Sequence, residues 1–160
     1  METIHISDTK DQLSENFNMQ EIFSPTLTKP GLEFELPKCI LDTIQHLRTV
    51  WNVPIEVTSV FRPTDSFGFH KTGNALDFIT YDDALGYIEK WRTICTNYKT
   101  STLFKELRAL GLKGFGIEGS CIHIDFRPDE DCTLEDEYGK YCIFFWQPDG
   151  TPYGHSTVIT

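Results

Sequence analysis

His70-Lys71-Thr72-Gly73-Asn74-Ala75-Leu76-Asp77 is the stretch on which the reading of this chain turns. It sets an imidazole and a carboxylate seven residues apart, with a glycine and an alanine between them. Asp77 falls inside an apolar run, Ala75-Leu76-Asp77-Phe78-Ile79, that reads as a short strand with Ala75, Asp77 and Ile79 on one face. A carboxylate there is costly unless it is paired or holds a metal. Capping a turn or pairing with Arg62 would also satisfy it. Downstream, residues Cys121 to Arg127 alternate as the clearest strand in the chain. Ile122, Ile124 and Phe126 take one face; His123, Asp125 and Arg127 take the other, which either lines a site or meets water. His70, Asp77 and His123 together make a three-ligand set, the number catalytic zinc takes while leaving a position open.

Working outward, Ile55 to Phe61 is rich in β-branched residues and predicts a strand closed by Arg62-Pro63, with a loop over 63–72. Pro37 suits a first helical turn, and Ile40, Leu41, Ile44, Leu47, Val50 and Trp51 recur at helical spacing, so residues 38–51 predict a helix ended by Asn52. Asn18 with Glu21 makes a capping box for a short helix over Met19–Phe23, after which Pro25, Pro30 and Gly31 break the chain. Asp82 or Asp83 predicts the cap of a helix running to Thr96, with Leu85, Ile88, Trp91, Ile94 and Cys95 inward. A further helix spans 102–110 and stops at Gly111, followed by a glycine-containing strand at Gly114–Ile117. Residues 1–16 read as a loosely held arm and 128–140 as an acidic loop. Tyr141–Trp146 reads as a strand, Pro148–Thr151 as a turn and 152–159 as a returning edge strand. The expectation is one α+β domain over 1–160, a small antiparallel sheet with helices packed mainly on one side.

These residues carry a family resemblance. His70-x-x-Gly73-x-Ala75-x-Asp77 resembles the zinc motif of the M15 peptidases, the zinc D-Ala-D-Ala carboxypeptidase family. Ser59-Val60-Phe61-Arg62-Pro63 is similar to the family segment just upstream, and Gly114-Phe115-Gly116-Ile117 with Ile122-His123-Ile124-Asp125 to its late strand pair. Phe17-Asn18-Met19-Gln20-Glu21 resembles its N-terminal segment, so the likeness runs over residues 13–127 in order. It implies a hedgehog/D-Ala-D-Ala peptidase-like fold, with His70, Asp77 and His123 as ligands of Zn2+. It also implies Arg62 as the group that holds a substrate oxygen, with Ser59 beside it in substrate binding. The implied activity is hydrolysis of bacterial cell-wall peptides next to D-amino acids, as in phage endolysins. Zinc brings a bound water to a pKa of about 7, and a base must take its proton. The family usually places that base three residues before the last ligand, where this chain has Ser120; Gly68 likewise stands where a serine is usual. Glu118 is then the expected base, with Asp125 the alternative catalytic carboxylate or an orienting group. Cys121 is placed on the His123 face to supply a fourth bond, which would make the site structural. The competing expectation is a zinc-binding relative that binds wall peptide without cleaving it, or a structural module of a phage particle.

Composition narrows the partners. A net charge of −10 and a pI of about 4.8 argue against nucleic acid and anionic membrane, which call for a basic surface. Five cysteines without a C-x-x-C pair speak for reduced thiols over a zinc finger, with Cys132–Cys142 the one local bridge left open. The N-terminal residues show no signal-peptide pattern, so a soluble chain is expected. Oligomeric state and scissile bond have no signature here.

Overall fold

The strands that carry Asp77 and His123 fold as neighbours at the centre of the larger of two sheets. The computed structural model describes residues 1–26, 32–81, 86–146 and the backbone of 158–159. In order, the elements are β1 (Thr3–Ile6), α1 (Met19–Phe23), β2 (Phe34–Pro37), α2 (Lys38–Trp51), β3 (Ile55–Ser59), β4 (Ala75–Thr80), α3 (Gly86–Thr96), α4 (Thr102–Ala109), β5 (Gly114–Glu118), β6 (Cys121–Asp125), β7 (Leu134–Asp136), β8 (Gly139–Trp146) and β9 (Val158–Ile159). Short 3-10 turns cover Phe69–Thr72 and Asp129–Asp131. The fold is α+β. A two-stranded sheet pairs β1 with β2, and a seven-stranded sheet runs β3-β4-β6-β5-β8-β7, with β9 on β8.

Local signals act where the sequence places them. Asn18 and Glu21 form a reciprocal capping box on α1. Helix α2 buries Ile40, Leu41, Ile44 and Leu47 and ends at Asn52, which adopts the left-handed conformation (φ 52°). The periodic pattern overreaches at Val50, which is 50% exposed. On one face of the sheet, Leu76, Phe78, Phe115, Ile117, Ile122 and Ile124 form the core. Trp91 of α3 stacks on Phe115 (5.8 Å), Trp51 of α2 meets Trp91 edge-on (6.4 Å), and Phe104 of α4 stacks on Phe115 (4.2 Å). Thus the three long helices cover this face. Each large apolar side chain buried there contributes roughly 1.5–3 kcal/mol. The opposite face carries Asp77, Glu118, His123 and Asp125.

Three expectations are corrected. Residues 1–16 are not a loose arm: Thr3–Ile6 pairs antiparallel with Phe34–Pro37, and Ile6 and Phe17 are buried. The acidic segment 128–140 is not one loop, because Leu134–Asp136 turns back onto Gly139–Tyr141 as a hairpin, with Gly139 at φ 107°. The larger sheet is mixed, since β5 and β8 run parallel. The expected cap at Asp82 or Asp83, Leu85, the break at Pro30-Gly31 and the turn at Pro148–Thr151 lie outside the described residues. The returning edge strand is present at Val158–Ile159, antiparallel to β8. All five cysteines are free thiols. No helix among the described residues is long and apolar enough to cross a membrane.

Candidate metal centre

Register assembles the site. Asp77 on β4 lies directly opposite His123 on β6, and Gly116 on β5 lies opposite His123 from the other side. Residues directly opposite in antiparallel strands share a face, so Glu118, two residues after Gly116, lies diagonal to His123 on that face. The β5–β6 hairpin closes in two residues, Gly119 (φ 63°) and Ser120, which pairs Glu118 with Cys121. Ser120 sits in the exposed turn. The glycines of β5 are required by what lies over them. A Cβ on Gly114 would stand 2.0 Å from Asp125 Oδ1, and one on Gly116 would stand 2.3 Å from the Phe144 ring. His70 enters from the 3-10 turn, whose C-cap Gly73 is left-handed (φ 81°) and would drive a Cβ to 2.9 Å from the Glu35 carbonyl oxygen. Only glycine suits both demands.

His70, Asp77, Glu118 and His123 form a group in which one ligand atom of each lies within 4.8 Å of the others, and all but Glu118 are buried. His70 Nδ1 donates to the Val60 carbonyl at 2.7 Å, which leaves the lone pair on Nε2. That Nε2 is buried without a hydrogen-bond partner. It lies 3.2 Å from Asp77 Oδ2, off the line a hydrogen bond needs. A lone pair facing a carboxylate oxygen at that range is repulsive unless a proton or a metal cation lies between them. His123 meets Asp77 Oδ1 through Nδ1 and Asp125 Oδ2 through Nε2, both at 2.8 Å, and Glu118 Oε2 stands 3.7 Å from Nδ1. Burial pushes the Asp77 carboxyl up, but the neighbouring imidazoles of His123 and His70 outweigh it and hold the group well below the usual carboxylate range. Burial likewise opposes a charge on His123, but Asp125 and Asp77 raise its imidazole to about 10. An orphaned buried nitrogen and two carboxylates converging on two imidazoles fit a divalent cation. Nitrogen and oxygen donors of this kind suit zinc among other first-row metals.

The expected ligands His70, Asp77 and His123 are therefore brought together, and Glu118 joins them. Two expected site residues take other positions. Asp125 is fully buried and bonds the far nitrogen of His123, away from the other three, the position of an orienting group. Ser59 pairs with Asp77 across the strands but is not among the residues lining the cleft beside the group. Cys121 is outside the group; its Sγ contacts Thr58 Oγ1 at 3.7 Å. Asp77 does not pair with Arg62, which instead lies 3.0 Å from Asp65 Oδ2.

The cleft holds about 650 Å³. His70, His123 and Glu118 lie in its lining, with Arg62 and Asp65 on one side and Arg127, Phe144 and Asp131 on another. Phe67 projects at the rim, 83% exposed. Sequence reading missed Arg127 and Phe144 as contributors. The signal for Arg127 was its place on the His123–Asp125 strand face; Phe144 gave none, because its neighbour β5 is parallel. No protein-family model matches the chain, and no curated protein and no solved structure matches it.

Proposed function

We propose that the chain is a zinc-dependent peptidase acting on bacterial cell-wall peptides. The observation that carries the metal part is the buried, unpartnered Nε2 of His70 facing Asp77 and His123 beside an open cleft. The M15 resemblance of the motifs around these residues supplies the substrate class, peptides with D-amino acids in stem or cross-bridge. Zinc held by His70, Asp77 and His123 would act as a Lewis acid on a carbonyl and acidify water. Glu118, half-exposed at the cleft and diagonal to His123, takes and returns the proton. Arg62, partly exposed in the cleft lining, offers charge to a substrate oxygen. Asp125 keeps His123 in one tautomer.

A second reading has its own observation. The Glu118 carboxylate lies close enough to the other three to serve as a fourth ligand, and four protein ligands mark a closed, structural zinc site. The chain would then bind wall peptide, or serve in an assembly, without cleaving.

Peptidoglycan of several wall types, incubated with the purified chain with and without chelator, separates the two. Chelator-sensitive release of peptides, identified by mass spectrometry, is the result expected of the peptidase. Glu118→Gln should then keep zinc and slow release by about 10²–10⁴-fold, the contribution of a general base. If wild type contains zinc and releases nothing from any wall, the closed-site reading takes its place, and Glu118→Gln should weaken zinc binding instead.

A further inference from the structure

We propose that Arg127 is the positioning residue of this metal centre, acting on both histidine ligands at once. The proposal rests on the metal reading above. Its first arm runs through Asp125. Arg127 Nε and Nη2 grip the two oxygens of Asp125 at 2.9 and 2.6 Å, and the Arg127 backbone N–H adds a contact to Oδ1 at 3.2 Å. Asp125 has no exposure to solvent and lies in the space left by the missing side chain of Gly114. A carboxylate so enclosed holds its charge only with a countercharge beside it. Thus fixed, Asp125 takes the Nε2 proton of His123 as a hydrogen bond at 2.8 Å, and the ring is turned with Nδ1 toward Asp77 and Glu118. A carboxylate behind a ligating histidine sets its tautomer and orientation.

The second arm runs through aromatic rings. The Arg127 guanidinium lies 4.5 Å from the centroid of Phe69 and 5.0 Å from that of Phe144. Phe69 opens the 3-10 turn whose next residue is His70, and Phe144 lies 5.4 Å from the His123 ring. One cation therefore ties the turn that bears His70 to the strand that bears His123, two segments far apart in sequence. Arginine suits this task and lysine does not, because the planar fork grips both carboxylate oxygens while its faces stack on rings. Arg127 lines the cleft, yet its Nε and Nη2 are engaged by Asp125 and its Nη1 contacts the Asp131 carbonyl at 3.4 Å. Its geometry is that of a brace and not of a substrate ligand.

The test is a double-mutant cycle read as zinc affinity, by competition with a chromophoric chelator on the full chain. Arg127→Met and Asp125→Asn should each weaken zinc binding about 10–100-fold, the cost of losing such an outer partner. In the Asp125→Asn background, Arg127→Met should add less than its single effect, the remainder being the share exerted through the Phe69 and Phe144 rings. Arg127→Lys, which keeps the charge without the fork, should fall between wild type and Arg127→Met, and it replaces Arg127→Met in the cycle if that variant does not fold. The zinc-loaded wild type should also show a protected Nε2–H resonance of His123 by NMR, shifted upfield in Asp125→Asn, whose neutral oxygen is the weaker acceptor, and broadened in Arg127→Met; loss of packing alone would leave it in place. Unchanged affinity in the singles, or fully additive losses in the double, overturns the proposal while the metal reading stands. A wild-type chain that takes up no zinc overturns both.

Discussion

Two clusters built around buried charged side chains differ in one respect. Arg108, 2% exposed, bonds both oxygens of Asp136 at 2.8 Å and the Gly139 carbonyl at 3.0 Å, donates to the Leu112 carbonyl, and lies 4.5 Å over the Tyr141 ring. Every guanidinium nitrogen has an acceptor, and the cluster ties α4 to the β7–β8 hairpin. On the other face of the sheet, His70, Asp77 and His123 are as deeply buried as Arg108, but His70 Nε2 makes no hydrogen bond although Asp77 Oδ2 lies 3.2 Å away. Buried polar groups are nearly always satisfied. The first cluster is complete and serves structure; the second is a group that could hold a metal ion.

The comparison breaks first at Arg108. Arg108→Ala leaves Asp136 without its countercharge and two carbonyls without donors. Asp136 is itself part-exposed, so the cost comes mainly from the acceptors left without donors and should be about 1–3 kcal/mol of stability. Denaturant unfolding measures it, and a loss under about 1 kcal/mol would put the cluster in the class of surface pairs. The histidine–aspartate group should behave in the opposite sense, gaining stability from something added. Zinc at a hundred times its dissociation constant should stabilise wild type by about 2.7 kcal/mol. Asp77→Ala should lose stoichiometric zinc and show none of that gain. An equal thermal shift in Asp77→Ala would place the ion elsewhere and remove Asp77 from the ligand set.

How much of this was legible in the sequence follows from which forces are local. Helix α2 was readable to its ends because its apolar period and Asn52 are written in consecutive residues. The two faces of β6 were readable from alternation alone. Neighbours in the sheet were not: alternation says which face a residue takes but not which strand lies beside it, so the parallel β5–β8 pair and the Phe144 ring over Gly116 stayed hidden. Thr3–Ile6 is too short a run to announce a strand whose partner lies at Phe34–Pro37. Glu118 is the sharpest case. Ser120 stands where the family has its base and Glu118 was the expected substitute; what the sequence did not show is that a two-residue hairpin puts Ser120 in the turn and Glu118 diagonal to His123 by register. Asp125 shared the right strand face, but alternation did not show that it is fully buried in the space left by Gly114.

The smallest expected effect tests whether the complete cluster depends on charge or only on fit. Burial pushes the Asp136 carboxyl up, but hydrogen bonds from Arg108 and from the Tyr138 N–H, together with the Arg108 charge, hold it below its ordinary value. A carboxyl lowered in the folded state binds its proton less readily there than in the unfolded chain. Its contribution is therefore fully present above the unfolded carboxylate pKa of about 3.9 and is lost as pH falls through the lower folded value. Asp136→Asn keeps the shape and cannot ionise, so the difference in stability between wild type and this variant isolates the group from Asp77 and Asp125, which titrate in both. That difference should be flat above about pH 5 and shrink on acidification below about pH 4. The amount lost should be on the order of 1 kcal/mol, the margin between a charge-assisted hydrogen bond and a neutral one. A difference that stays constant down to the lowest pH at which both chains fold would mean that Arg108 is held by geometry and its carbonyl partners, with the Asp136 charge adding nothing.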